Sequence, residues 1–110
     1  MSVETIPKKI LDKLPFPING RFKVYSDTSF VTGDSPVTLD VNTDLGRNAI
    51  DGFIINDGAG NFTIAISNDG STFGDALTIK EGEVFSLTNI DIDQIKITWI
   101  ADSAYRVMVV

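Results

Sequence analysis

The chain has 110 residues, a mass of 11.9 kDa, 43% hydrophobic and 22% charged residues, and a net charge of −6. This length suits one domain with a single core, and the composition excludes disorder caused by low hydrophobicity and high charge. The sequence contains neither cysteine nor histidine. Disulfides, thiolate nucleophiles, Ser-His-Asp catalysis and nearly all zinc or iron sites are therefore excluded.

The first twenty residues differ in pattern from the rest of the chain. Apolar side chains recur there at helical spacing, which predicts a short amphipathic helix over residues 5–14. Pro15 and Pro17 end this helix and favour extended backbone, so residues 1–20 are predicted to form a helix and a Pro-rich arm. A helix of about ten residues is marginal alone in water. It is expected to dock on its own β-domain or on another subunit.

From Arg21 onward the hydrophobic period changes to two, which is typical of strands. Turn residues divide this region into about eight short apolar segments, and none shows a helical pattern. We therefore predict an all-β fold for residues 21–110, an antiparallel β-sandwich or jelly roll. The predicted strands are Phe22–Tyr25, Val37–Val41, Ala49–Ile55, Phe62–Ser67, Ala76–Ile79, Val84–Leu87, Ile95–Ile100 and Tyr105–Val110.

Glycines mark three places in this pattern. Gly52 interrupts an apolar strand, which indicates a bulge or a close approach of another backbone. Residues 57–61 read as a hairpin turn, because they are rich in residue types that tolerate positive φ. Asn68, Asp69 and Gly70 open a loop that continues to Gly74.

The charges are unevenly distributed. Residues 1–25 contain five basic and two acidic side chains, whereas residues 26–110 contain four basic and thirteen acidic ones. An acidic body argues against nucleic-acid binding, which needs clustered Lys and Arg. The longest apolar runs are too short to cross a membrane, and no signal-peptide pattern is present. We expect neither nucleic acid nor membrane as a partner, and synthesis in a cytoplasm.

Carboxylate chemistry is the one catalytic option left by this composition. The twelve Asp and three Glu lie mostly at turn positions, where an Asp side chain bonds nearby backbone. Residues 56–61 and 68–72 each carry a single carboxylate, too few for a tight calcium site. We therefore expect no enzyme activity, no cofactor and no bound metal.

Aromatic residues offer either a sugar-binding platform or interface anchors. Trp99 lies in register with Ile95 and Ile97, which predicts that it packs in the core. Tyr25 and Tyr105 are the residues that could join Trp99 in a sugar-binding platform. The aromatic side chains expected to be exposed are Tyr25, Phe30 and Phe73.

Four segments resemble small β-sandwich virion proteins of tailed bacteriophages, such as head decoration (cement) proteins and short fibre modules. These segments are residues 64–74, 80–84, 90–97 and 104–107, and the resemblance covers roughly residues 48–110. The resemblance implies a structural protein without enzyme activity, displayed on a capsid surface. Decoration proteins of this kind bind a preassembled shell and often form trimers.

The leading hypothesis is therefore a capsid decoration protein that binds the major capsid protein, forms a homo-oligomer, preferably a trimer, and is made in the host cytoplasm. Its N-terminal arm carries a charge opposite to that of the body, which suits anchoring on a neighbour. A glycan- or receptor-binding fibre module and a tail or neck connector are the alternatives. The residues predicted to anchor the arm are Ile6, Ile10, Leu14, Phe16, Lys8, Lys9 and Lys13.

Overall fold

Eight strands form two four-stranded antiparallel sheets in the computed structural model, which describes residues 22–110. Sheet 1 has the order β1-β8-β3-β6, and sheet 2 has the order β2-β7-β4-β5. The strands are β1 (Lys23–Phe30), β2 (Val37–Leu39), β3 (Ala49–Asn56), β4 (Phe62–Ser67), β5 (Leu77–Ile79), β6 (Val84–Ile92), β7 (Gln94–Trp99) and β8 (Ser103–Val109).

The chain changes sheet at every connection except that between β4 and β5. This strand order is that of a jelly roll, which has eight strands in two sheets. The prediction of an all-β antiparallel sandwich with about eight short strands is confirmed. The predicted helix and arm, residues 1–20, lie outside the described residues.

The core lies between the two sheets because inward-facing apolar residues alternate along the strands of both. Ile54 and Val107 face inward from neighbouring strands of sheet 1 and have no exposed surface. An aromatic cluster of Phe30, Phe62 and Tyr105 fills one part of this core, with ring centroids 5.5 to 6.2 Å apart and edge-to-face angles. Such packing adds favourable ring contacts to the burial of apolar area.

Strand β2 ends two residues earlier than predicted, β1 and β6 each continue five residues further than predicted, and the expectation of no internal helix is wrong. Strand β2 stops at Leu39, and a short helix, α1 (Val41–Leu45), follows it. Val41 and Leu45 are spaced four residues apart, so a helical turn buries both side chains. Gly46, with φ of 80°, ends the helix and donates its N–H to the carbonyl of Asn42. A 3₁₀ turn (Thr32–Asp34) precedes β2.

The loop at residues 57–61 is not a hairpin turn, because it joins β3 in sheet 1 to β4 in sheet 2. It packs closely against the chain between β7 and β8. A Cβ atom at Gly60 would lie 2.4 Å from the carbonyl oxygen of Asp102. The loop that begins at Asn68 does connect a hairpin, since β4 and β5 pair in sheet 2.

Candidate functional site

The residues predicted to anchor the arm lie outside the described part of the chain, so their role stays a prediction. They are Ile6, Ile10, Leu14, Phe16, Lys8, Lys9 and Lys13. The described residues nevertheless contain a second candidate surface, on the side of sheet 1 that faces away from the core.

This surface is formed by apolar side chains that neighbour one another across strands. Val24 pairs with Met108, and Met108 pairs with Phe53, which gives a row across β1, β8 and β3. The adjacent row continues from Ile55 to Val84 on β6. We define the outer face of sheet 1 by six residues. They are Phe22, Val24, Phe53, Ile55, Val84 and Met108.

The outer face of sheet 1 is open to solvent within the described residues. Val84 is 59% exposed, Phe22 is 52% exposed and Val24 is 51% exposed. The other three members are half-buried by their neighbours in the sheet. Single exposed apolar residues are ordinary on protein surfaces, but contiguous ones mark an interaction surface.

The outer face of sheet 2 has the opposite character. Its strands present mainly threonines to solvent, and Lys96 lies among them with its Nζ 4.4 Å from the centroid of the Phe73 ring. The threonines are Thr38, Thr63, Thr78 and Thr98. Polar outward residues are the usual pattern of a sheet with one solvated face. The two outer faces of the sandwich are therefore chemically distinct.

Charge at the border of the outer face of sheet 1 is paired. Arg106 lies in the row beside Ile55, and its guanidinium bonds Asp57 through Nε at 2.6 Å and Nη2 at 2.9 Å. This hydrogen-bonded cation lowers the pKa of Asp57 from its ordinary value. At another position on this side of the sheet, Asp51 accepts a 3.1 Å hydrogen bond from the N–H of Asn89. The charged side chains beside the apolar rows, Arg106, Asp57 and Asp51, are therefore already paired or hydrogen-bonded.

The predicted strand Phe22–Tyr25 covers only the start of β1, and the strand pattern does not show which side of β1 faces the core. Phe22 and Val24 point outward, while Tyr25 packs against the core and donates its hydroxyl to Asp44. Burial, together with that hydrogen bond, raises the pKa of Tyr25 above its usual range. The signal that could have revealed the surface is the continuous apolar run at residues 53–55 and again at 107–110. Such runs indicate strands that are covered on both faces.

The prediction for Trp99 is correct, whereas the prediction for Phe30 is wrong. Trp99 packs against the core, as predicted, and its Nε1 donates a 2.9 Å hydrogen bond to Asp102. Phe30 was expected to be exposed, but it is fully buried. The register of β1 shifts between Asp27 and Phe30, which turns the Phe30 ring inward. Tyr25 and Phe73 are half-buried rather than freely exposed.

The expectation that turn aspartates bond nearby backbone is correct for Asp34 and Asp69, and Asp34 accepts from the N–H of Val31 at 3.2 Å. Asp57 and Asp102 instead accept hydrogen bonds from the side chains of Arg106 and Trp99. Within residues 22–110, no three metal-ligating side chains lie close enough together to hold a metal ion. None of the helices described there has the length and hydropathy that a membrane span needs.

Among the described aspartates, Asp69 accepts the most hydrogen bonds from neighbouring residues. Its carboxylate accepts from the N–H of Thr72 at 2.8 Å, from the N–H of Ser71 at 2.9 Å and from the hydroxyl of Ser67 at 3.0 Å. These donors lower the pKa of Asp69 to about 2. Because the folded-state pKa lies below the unfolded value of about 3.9, ionised Asp69 stabilises the fold above about pH 4.

Replacing Asp69 with Asn should reduce the pH dependence of stability in acid. The stabilisation from Asp69 is lost as the pH falls from about 4 through about 2, so the wild type should lose more unfolding free energy in this range than Asp69→Asn. Urea unfolding at pH 5, 3 and 2 measures the difference. Asp75→Asn, in the same loop, is the matched control. Parallel curves for wild type and Asp69→Asn would contradict the expectation.

Comparisons with known proteins do not assign a family. No protein-family model and no curated protein matches the chain. Among solved structures, the chain is similar to the crystal structure of PirA, with 15% sequence identity and a TM-score of 0.42. The match covers 81% of this chain and 83% of that chain. A likeness this weak carries no argument about function.

Proposed function

We propose that this protein is a non-enzymatic structural component of a tailed-bacteriophage virion, a decoration protein on the capsid surface. In this proposal it binds the major capsid protein, forms a homo-oligomer with a trimer preferred, and is made in the host cytoplasm before it joins the shell. The jelly roll supports the proposal only generally, since viral capsid proteins and lectins both use it and a fold does not determine a function.

The observation that carries the proposal is the difference between the two outer faces of the sandwich. Sheet 2 presents threonines to solvent, whereas sheet 1 presents a continuous apolar surface that includes Phe53 and Met108. Aromatic residues and methionine are enriched in the buried centres of protein interfaces. We assign the side of sheet 1, together with the N-terminal segment that enters it at Phe22, as the side that attaches to the shell.

The chemistry of the described polar residues also favours binding over catalysis. The carboxylates of Asp57 and Asp69 are engaged by a guanidinium and by backbone N–H groups, which keeps them ionised rather than poised to transfer a proton. Glycan binding through an exposed tryptophan has less support, because Trp99 packs against the core. A tail or neck connector stays an alternative, and the copy number per particle distinguishes it from a capsid decoration protein.

Copy number in purified particles tests the proposed function. Particles of the phage that encodes the chain are analysed by quantitative mass spectrometry, with the major capsid protein as the internal standard. Hundreds of copies per particle are expected for a capsid decoration protein, whereas a symmetric tail component is present in about a dozen copies or fewer. Absence from the particles, or a copy number typical of the tail, would contradict the proposal.

A pair of surface variants tests which side attaches. Particles lacking the protein are incubated with purified wild type, with Val84→Asp or with Thr98→Asp, and bound protein is quantified. Val84→Asp places a charge in the apolar face of sheet 1, which must then be desolvated on binding, so occupancy should fall at least about tenfold. Thr98→Asp places the same charge on the outer face of sheet 2 and should bind as the wild type does. Equal occupancy of the two variants would refute the assignment.

A further inference from the structure

Within residues 22–110, strand β6 is the edge of the sandwich with the least protection against pairing with another chain. It is nine residues long, and its residues 84–90 carry no charge. The other three edge strands show the features that usually prevent such pairing. Strands β2 and β5 have three residues each, with Pro36 beside β2 and Lys80 beside β5. Strand β1 contains Lys23 and Asp27 and has a shift in register.

The hydrogen-bond register shows which backbone groups of β6 point away from the sheet. Asn56 donates its N–H to the carbonyl of Glu83 at 2.9 Å, just before the paired residues of β3 and β6. Hydrogen-bonded and non-hydrogen-bonded pairs alternate along an antiparallel ladder. Val84, Ser86 and Thr88 therefore occupy the non-hydrogen-bonded positions opposite β3. The N–H and C=O groups of these three residues point to the outer edge of the sheet.

This regular edge ends at Asn89. The residue has a φ of 56°, and its N–H donates to the carboxylate of Asp51 rather than to the ladder. The register of the β3–β6 pairing also shifts between Ala49 and Asp51. Residues 84–88 therefore offer room for an extended segment of about five residues.

The charges at the two ends of this edge indicate what kind of segment fits. Exposed Glu81 and Glu83 lie at one end, with Lys80, and exposed Asp91 lies at the other. If β6 paired with β6 of a second copy, antiparallel and centred on Ser86, Glu81 of each copy would lie near Asp91 of the other. Like charges placed opposite each other are destabilising. A segment with an uncharged centre and basic flanks avoids this repulsion.

The edge is also continuous with the outer face of sheet 1. Val84 belongs to that face, and Ser86 pairs with Phe53, another of its members. We propose that an extended segment of the major capsid protein, uncharged at its centre and basic at its flanks, pairs with residues 84–88 as a fifth strand of sheet 1. Backbone hydrogen bonds supply the affinity in this mode of binding. The inference rests on the proposed function and deepens it, because it specifies how the partner is bound.

A proline at the edge tests the proposal. Particles lacking the protein are incubated with purified wild type, Ser86→Pro, Ser86→Ala or Ser26→Pro, after melting temperatures have shown that each is folded. Ser86→Pro removes an N–H that β3 does not use, so a carbonyl of the segment loses its donor and occupancy should fall at least about tenfold. Ser86→Ala keeps that N–H, and Ser26→Pro alters the other edge of sheet 1, so both should bind as the wild type does.

The outcomes separate the inference from the proposed function. If the wild type does not occupy the particles, both fail. If the wild type binds and Ser86→Pro binds equally well, or if Ser26→Pro loses as much occupancy, only the pairing on β6 is overturned. Glu81→Gln tests the charge of the flanks and should lower occupancy about two- to fivefold. Unchanged occupancy of Glu81→Gln would overturn the basic flanks.

Hydrogen exchange of the wild type provides a measurement that needs no variant. The amides of Ser86 and Thr88 should exchange at least about tenfold more slowly in the particle-bound protein than in the free protein, because pairing protects them. The amide of Ser26 is the reference, since it points to the outer edge of β1. Equal slowing at Ser26 would overturn the proposal. Protection of Ser86 that rises with the concentration of the free protein would assign the edge to a second copy instead and would also overturn it.

Discussion

Replacing Asn56 with Ala is expected to lower the free energy of unfolding by about 3 to 4 kcal/mol, because this buried side chain makes four hydrogen bonds. Its Nδ2 donates to the carbonyls of Gly60 at 2.8 Å and Ile79 at 3.1 Å. Its Oδ1 accepts from the N–H of Gly58 at 3.0 Å and from the hydroxyl of Ser103 at 2.7 Å. One amide thus joins the end of β3 in sheet 1 to β5 in sheet 2.

The substitution Asn56→Ala therefore removes a connection between the two sheets as well as four hydrogen bonds. Alanine leaves the backbone groups of Gly58, Gly60 and Ile79 without the partner that now satisfies them, in a place where Asn56 is only 1% exposed. Thermal and urea unfolding of the variant measure the effect. A loss of this size should lower the melting temperature by more than about 10 °C.

Asn61→Ala is the control for this prediction. Asn61 lies in the same loop, and its Oδ1 accepts a 3.1 Å hydrogen bond from the N–H of Glu81. Its replacement should cost about 1 kcal/mol. A second variant, Asn56→Asp, keeps the shape of the side chain but turns a carboxylate oxygen toward two carbonyls, so it should be at least as destabilising as Asn56→Ala. If Asn56→Ala were as stable as Asn61→Ala, the connecting role of Asn56 would be wrong.

Gly52→Ala is expected to destabilise sheet 1 by about 2 to 3 kcal/mol, through one added methyl group. A Cβ atom at Gly52 would lie 2.3 Å from the carbonyl oxygen of Met108 and 3.1 Å from the Cα of Val109. Both are backbone atoms of β8, so no side-chain rotation can make room. The strands β3 and β8 must move apart, which strains the hydrogen bonds at the centre of the sheet.

Gly33→Ala provides the comparison, because nothing lies within 4 Å of the position its Cβ would take. Its effect should stay within about 0.5 kcal/mol. Chemical denaturation of the two variants gives the difference directly. Gly52→Ala should also weaken shell binding, since Phe53 and Met108 lie beside the distorted backbone. Equal stability of the two variants would mean that sheet 1 adjusts without cost.

The sequence predicted the fold well because its information on strands is local. Alternation with a period of two and frequent turn residues predict eight strands, and of the two interpretations of Gly52, a bulge or a close approach of another backbone, the close approach is confirmed. The predictions failed where long-range packing decides the outcome. Val41 forms a helix because Leu45 is buried beside it, and Phe30 turns inward because the register of β1 shifts.

The candidate surface was harder to foresee. Alternation in β1 is consistent with either side facing the core, and only the pairing of β1 with β8 shows that Val24 lies beside Met108. The role of Asn56 in joining the two sheets could not be predicted from the sequence either. Asn56 precedes a glycine-rich loop, so the sequence pattern indicates only a turn residue there. Both features depend on contacts between residues that are distant in sequence.

The central claim is that the outer face of sheet 1 is the side of the sandwich that attaches to the shell. Carbene footprinting of the full-length chain, free and bound to particles that lack it, with residue-resolved mass spectrometry, tests this claim most directly. Within residues 22–110, Val24 and Val84 are 51% and 59% exposed, and the reference residues Leu77 and Ile100 are 42% and 48% exposed. We predict that binding reduces the labelling of Val24 and Val84 far more than the labelling of Leu77 and Ile100. An equal change at all four residues, or protection of Leu77 and Ile100 alone, would contradict the account.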